Sequence, residues 1–313
     1  MSLKLTILGC HSATPRTDSH TTSQFLEINH RHFLIDCGEG TQVQLRKHKI
    51  KFSKISHIFI SHLHGDHFFG LIGLISTFGL LNREKDLHIY GPKGIKEIIV
   101  LQLKLSKSWT NYKLFFHELE SKDSELIFED EKVAVYTIPL EHRVYTNGYL
   151  FKEKIGERKL NMKAVSKNSE IEICDYQNLK NGKDFIMSDG TLIKNDQLTD
   201  NPTKPLSYAF CSDTVYKPEI VKVIKNVNLL YHESTFLKDK EYLCEKTKHS
   251  TAEQAAQIAL QANAKKLILG HYSSRYKNLE LFIDEAKLFF DNVELTHEGK
   301  VFSIESNYPV AAN

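Results

Sequence analysis

Apolar and polar positions alternate in "KLTILGC" (residues 4–10), which ends at Gly9 and predicts a strand. "SQFLEINHRHFLIDCGEG" (23–40) predicts a hairpin that turns at Asn29 and His30, with Gly38 and Gly40 ending its second strand. "TQVQLRKHKI" (41–50) reads as a short helix, and the isoleucines of "KISHIFI" (54–60) read as a buried strand. "DHFFGLIGLISTFGLL" (66–81) has helical length and apolar spacing. "DLHIYGPKG" (86–94) predicts a strand closed by a Gly-Pro turn, "IKEIIVLQLKL" (95–105) a helix, and "KVAVYTIPL" (132–140) a strand.

Residues 150–205 differ from what flanks them. They are rich in Lys, Asn, Asp and Glu, with turn signals at "NLKNGK" and "SDGTLIKND", and read as an arm inserted into the core. Strands resume with "LSYAFCS" (206–212) and "VNLLYHES" (227–234). "TAEQAAQIALQANA" (251–264) is the clearest helix, and Ser250 with Glu253 predicts its capping box. "KKLILGH" (265–271) predicts a strand, "NLELFIDEAKLFF" (278–290) a helix and "VFSIES" (301–306) a last strand. Strands and helices mix without a regular βαβ rhythm. The pattern predicts one α/β domain over 1–313: two mostly antiparallel sheets with helices outside.

The chain has 313 residues, 41% of them hydrophobic and 26% charged, enough for a packed core. Lys and Arg number 41 against 39 Asp and Glu, so no global basic field argues for nucleic acid. Five cysteines, Cys10, Cys37, Cys174, Cys211 and Cys244, are widely spaced and form no CxxC pair. That usage predicts a reduced, cytoplasmic protein without a disulfide framework. No segment reaches the roughly 20 apolar residues of a membrane span, so no membrane is expected as a partner.

The chemistry concentrates in "SHLHGDHFFGL" (61–71). His62 and His64 stand two apart just past a strand, where alternate side chains share a side, so both imidazoles reach one metal ion. Asp66 and His67 follow Gly65 and are placed to hold a second ion at the start of a helix. Three further candidates each follow an apolar run: His142 in "YTIPLEHR", Asp213 in "YAFCSDT" and His271 in "KLILGHYSSRY".

These segments together resemble the ribonuclease Z family of the metallo-β-lactamase superfamily. The resemblance rests on "IDCGEGTQ", "SHLHGDHFFGL", "GPKG", "PLEHR", "SDT", "HEST", "KHSTAEQAA" and "GHYSSRY", in the family's order over nearly the whole chain. It implies a four-layer αβ/βα sandwich with a protruding tRNA-binding arm. It implies two Zn²⁺ per subunit: His62, His64 and His142 on one, Asp66, His67 and His271 on the other, and Asp213 bridging. It implies an endoribonuclease that removes the 3′ trailer of precursor tRNA by a metal-bridging hydroxide, leaving a tRNA 3′-hydroxyl and a 5′-phosphorylated trailer. Asp66 is then the proton acceptor, and His249, oriented by Glu233, the acid for the leaving oxygen. Arg275 and Ser250 are candidate phosphate contacts, and a homodimer is expected. The arm departs from the family pattern, because "RKLNMKAVSKNSEIEICDYQNL" lacks the Gly and Pro that many relatives carry there. The same ligands would also serve a small-molecule phosphodiesterase, or a catalytically silent RNA-binding protein.

Overall fold

A computed structural model describes residues 2–14 and 16–305. The first half of the chain supplies strands β1 (Ser2–Gly9), β2 (Ser23–Ile28), β3 (Arg31–Ile35), β4 (His57–Phe59), β5 (Leu87–Pro92) and β6 (Leu114–Leu119). Then follow β7 (Leu126–Glu129), β8 (Val133–Pro139) and β9 (Asn147–Glu153). After four two-residue strands, β10 (Lys159–Leu160), β11 (Phe185–Ile186), β12 (Leu192–Ile193) and β13 (Thr199–Asp200), the chain forms β14 (Ser207–Cys211), β15 (Leu229–Glu233), β16 (Leu267–Gly270), β17 (Val293–Leu295) and β18 (Val301–Glu305). The expected last strand extends to Ser306, which lies outside the described residues.

One seven-stranded sheet runs β18-β1-β2-β3-β4-β5-β6 and the other β17-β16-β15-β14-β9-β8-β7. The period-two pattern sorts the side chains between layers. Leu3, Leu5, Ile7, Phe33, Ile35 and Phe59 meet Val133, Val135, Tyr149, Phe151, Tyr208 and Phe210 in one buried core between the sheets. Leu8, Leu34, Ile58 and Ile60, one position out of phase, face outward. Helices α1 (Thr41–Lys47), α2 (Gly65–Phe68), α3 (Gly70–Leu80) and α4 (Ile95–Leu105) come from this half, and Leu71, Leu74, Ile75, Ile95, Ile99 and Leu103 cover that outer face. The apolar stretch expected as one helix over 66–81 is divided at Phe69 into α2 and α3.

The sheets are not mostly antiparallel. In the first, β18-β1-β2-β3 pair antiparallel and β3-β4-β5-β6 parallel. In the second, β7-β8-β9-β14 pair antiparallel and β14-β15-β16-β17 parallel. The reason is connectivity: wherever a helical crossover separates two strands, the chain returns to the same end and pairs parallel.

The excursion from the second sheet leaves after Glu153 and returns at Ser207, since residues 150–153 belong to β9. It contains β10 to β13 with helices α5 (Met162–Val165), α6 (Tyr176–Lys180) and α7 (Asn195–Leu198). Val165, Ile171, Leu179 and Leu198 give it a small core of its own. Its two stems are neighbours: Lys152 pairs with Ser207, and Glu153 accepts from Leu206 N at 2.8 Å through its carboxylate. The chain closes with α8 (Glu241–Thr247), α9 (Ala252–Gln261) and α10 (Glu280–Ala286). Among the described residues no helix is long and apolar enough to cross a membrane.

Candidate metal centre

The histidines and carboxylates expected to carry chemistry sit at one edge of the sandwich, where strands end. His62 and His64 follow β4, and Asp66 and His67 open α2. His142 follows β8, Asp213 follows β14, Glu233 ends β15, and His271 follows β16. The local backbone is unusual there. Asp36, Asp213, Lys248 and His271 all have left-handed φ, at 54°, 28°, 60° and 62°. Non-glycine residues adopt that conformation at a cost, which the surrounding packing must offset.

The structure brings the seven expected ligands into two adjoining groups. His62, His64, His142 and Asp213 form one, and Asp66, His67 and His271 the other, with ligand atoms within 4.8 Å inside each group. His64 Nδ1 lies 3.1 Å from His62 Nε2 and 3.2 Å from His142 Nε2. His67 Nε2 lies 3.2 Å from Asp66 Oδ2. Asp213 divides its carboxylate. Oδ2 faces His62 Nε2 at 3.7 Å and His142 Nε2 at 3.8 Å, while Oδ1 faces His67 Nε2 and His271 Nε2, each at 3.3 Å.

The donor set fits divalent cations. His67 Nε2 and His271 Nε2 are buried and make no hydrogen bond. A neutral imidazole lone pair against a carboxylate oxygen is repulsive unless a proton or cation lies between them. Burial disfavours charge on His67, yet Asp66, Asp213 and Asp36 together hold its pKa well above the usual imidazole value. Burial likewise opposes the Asp213 charge, and His271, His67 and His62 still hold it well below the usual carboxylate range. His62, buried and beside His67, is held well below the imidazole range. Imidazoles and ionised carboxylates converging on one point form a ligand set for Zn²⁺-like ions, and such a cation would take the place of the proton that the carboxylates hold on His67.

A supporting shell fixes these rings, and sequence reasoning missed it. Asp36 is fully buried, and its Oδ2 lies 2.6 Å from His67 Nδ1. Ser61 donates to Asp36 through its backbone N at 2.7 Å and its hydroxyl at 2.9 Å. Thr235 Oγ1 lies 2.9 Å from His271 Nδ1, and His142 Nδ1 donates to Lys248 O at 2.7 Å. The available signal was Asp36 itself, a carboxylate ending the apolar strand "FLI" beside the glycines of "GEG". Asp36→Asn should weaken metal affinity about 10- to 100-fold, because the amide fixes the His67 tautomer less well. Competition against a chromogenic chelator measures this; parent-level affinity would remove Asp36 from the supporting shell.

Beside the ligands lies a second pair. His249 Nδ1 is 2.8 Å from Glu233 Oε1. Glu233 is fully buried and also accepts from Thr214 N at 2.9 Å, Thr235 N at 3.0 Å and Thr235 Oγ1 at 2.7 Å. Burial pushes the His249 pKa down, but the Glu233 charge and hydrogen bond override it and raise it to about 9. His249 also falls within ligand distance of Asp213 and His271. Its nitrogen on that side is Nδ1, already committed to Glu233 and 3.9 Å from Asp213 Oδ2, so it is a proton-holding neighbour of the cluster.

Two expectations shift. The capping box of α9 is Thr251 with Gln254, one residue beyond Ser250 and Glu253. The Ser250 hydroxyl donates to Thr214 O at 2.7 Å and is fully buried, so it braces the His249 turn and does not face a substrate phosphate. Arg275 is exposed and lines a cleft of about 380 Å³ shared with His64, Asp66, His142, Asp213, His249 and His271.

Comparison with known proteins agrees with this geometry. A family model described as anti-Pycsar protein Apyc1 matches residues 3–156. The chain is 46% identical to ribonuclease Z of Bacteroides thetaiotaomicron over 305 residues, covering 97% of this chain and 96% of that one. It is 45% identical to ribonuclease Z of Porphyromonas gingivalis over 284 residues, covering 91% and 93%. Among solved structures, the short form of human tRNase Z superposes with a TM-score of 0.69 at 26% identity, covering 98% of this chain and all of that one. The metallo-β-lactamase fold protein YhfI from Bacillus subtilis shares the fold, with a TM-score of 0.67 at 18% identity and coverage of 96% and 99%. With both sheets, the ligand cluster and near-complete coverage of its relatives in agreement, the chain belongs to the ribonuclease Z family.

Proposed function

We propose that this protein is a metal-dependent endoribonuclease that removes the 3′ trailer of precursor tRNA, leaving a tRNA 3′-hydroxyl and a 5′-phosphorylated trailer. The observation that carries the reading is the His249–Glu233 pair, 2.8 Å apart and beside the seven-ligand cluster, in a chain of this family. The proposed ions are two Zn²⁺ per subunit. His62, His64 and His142 would hold one, Asp66, His67 and His271 the other, and Asp213 would offer an oxygen to each. Bound there, the ions supply Lewis acidity to the phosphoryl oxygens and an activated water at neutral pH.

The protein's own groups do the rest. Burial opposes the Asp66 charge, but His67 and His271 hold its carboxyl well below the usual carboxylate range, so Asp66 is a weak proton acceptor whose main role is to orient the attacking water. The ribose 3′-oxygen is a poor leaving group, and His249, protonated at neutral pH, donates to it. Glu233 fixes the imidazole and keeps it charged, as its four hydrogen bonds require. Residues 154–206 form the arm that grips tRNA. It serves the cleft of a second copy in a cytoplasmic homodimer, which sedimentation of the purified protein tests.

Incubation with a trailer-bearing precursor tRNA should give cleavage after the discriminator base, abolished by chelator and restored by Zn²⁺. Turnover of bis-p-nitrophenyl phosphate with no cleavage of the precursor would instead make the protein a small-molecule phosphodiesterase.

A further inference from the structure

The parallel strands β4 and β5 exchange backbone hydrogen bonds at alternate residues. His88 N donates to Ser56 O at 2.9 Å, and Ile60 N donates to Tyr90 O at 2.8 Å. The next donor in that ladder would be residue 92, two beyond Tyr90. It is Pro92, which has no N–H, so the Ile60 carbonyl has no donor on the neighbouring strand. Tyr149 of β9, in the facing sheet, supplies one instead. Its hydroxyl donates to Ile60 O at 2.5 Å across the core between the sheets. The ring is fully buried and stands edge-on to Phe59 at 5.2 Å. A phenol among apolar side chains costs stability unless its hydroxyl is paired. Burial, with the Asp36 charge, holds it well above the usual phenol range, so it stays a donor.

This bond lies beside the ligands. Ile60 stands two residues before His62. One residue on, Ser61 O accepts from Asn147 N at 3.1 Å. Asn147 pairs with Pro139 at the base of the hairpin turn that carries His142. In the ligand group to which both belong, His62 and His64 come from the first sheet, His142 and Asp213 from the second. The two bonds therefore tie the halves of that group together. The group of Asp66, His67 and His271 has a separate tie, from His271 N to Cys10 O at 2.7 Å.

We infer that Tyr149 is a positioning residue: its hydroxyl replaces the donor that Pro92 withholds and sets the separation of the two sheets at the His62, His64, His142 and Asp213 group. The inference rests on the two-ion reading above.

Titration of the metal-free protein with Zn²⁺ against a chromogenic chelator tests it. Tyr149→Phe removes one oxygen atom and should weaken one Zn²⁺ equivalent about tenfold and the other at most about twofold. Adding Pro92→Ala returns a donor to the strand and should bring that affinity back to within about threefold of the parent. Tyr208→Phe is the comparison, because its hydroxyl also crosses the core but donates to the Gln24 side chain on β2, which carries no ligand. It should lower the thermal midpoint and leave both equivalents at parent affinity. Two parent-level equivalents in folded Tyr149→Phe, equal weakening of both, or an equal loss in Tyr208→Phe would overturn the positioning role. A double variant that binds no better than Tyr149→Phe would overturn the exchange of donors. Parent protein that binds fewer than two equivalents would overturn the two-ion reading as well.

Discussion

Asp213→Ala should lose at least one of the two expected metal equivalents and cut precursor tRNA more slowly by on the order of a thousandfold or more. No other ligand divides its oxygens between the two groups: Oδ1 lies 3.3 Å from two imidazoles and Oδ2 within 3.8 Å of two others. Removing it would take a ligand from each of the two proposed ions and a negative charge from the site that would balance them. The side chain is buried and its backbone lies in the left-handed region, so loss of fold must be separated from loss of ligand. Asp213→Asn keeps the shape and the Ser212 hydroxyl contact, 2.7 Å in the parent, while losing the charge. Elemental analysis and single-turnover cleavage, with circular dichroism as the folding check, decide the matter. Two full equivalents of metal in the folded Asn variant would falsify the bridging role.

The second large effect belongs to His249. His249→Ala should keep its metal and lose roughly 10²- to 10⁴-fold in single-turnover rate, the usual range for removing a general acid. The pH profile carries the sharper signature. The ring is raised to about 9, so it is protonated, and competent as an acid, at lower pH. The rate should therefore fall as pH rises through that value. That value applies to the metal-free site; bound cations would repel the imidazolium and bring the descending limb below it. Glu233→Gln, which removes the charge that raises His249, should move the limb further toward acid, and His249→Ala should erase it. A descending limb unaltered in His249→Ala would assign the titration to another group, and an unchanged rate would end the acid role.

Much of this site was legible because its ligands cluster in the chain. The four from His62 to His67 span six positions, and each distant ligand follows a strand whose run of apolar side chains marks it. Asp36 was not legible, because a carboxylate that acts by holding a histidine carries no spacing signature. The capping box slipped by one residue because Ser250 and Thr251 both cap helices, Ser the better of the two by type, and each is followed three residues on by a Glu or Gln. Only the tertiary contact to Thr214 O removes Ser250 from that role. Strands β6 and β7 lie at the sheet edges with half-exposed side chains, so their alternation is diluted. Strand direction was misjudged because it depends on where each crossover returns, which local pattern does not encode.

The stems of the arm leave the sheet from β9 and β14, which are hydrogen-bonded to one another. A chain inserted between paired neighbours interrupts no ladder and borrows no core residue, and this one brings its own small core. The match to the family model ends at residue 156, just past the point where the arm departs. By topology the arm is an addition to the sandwich, and its length or shape can change without moving the strand ends that carry the ligands.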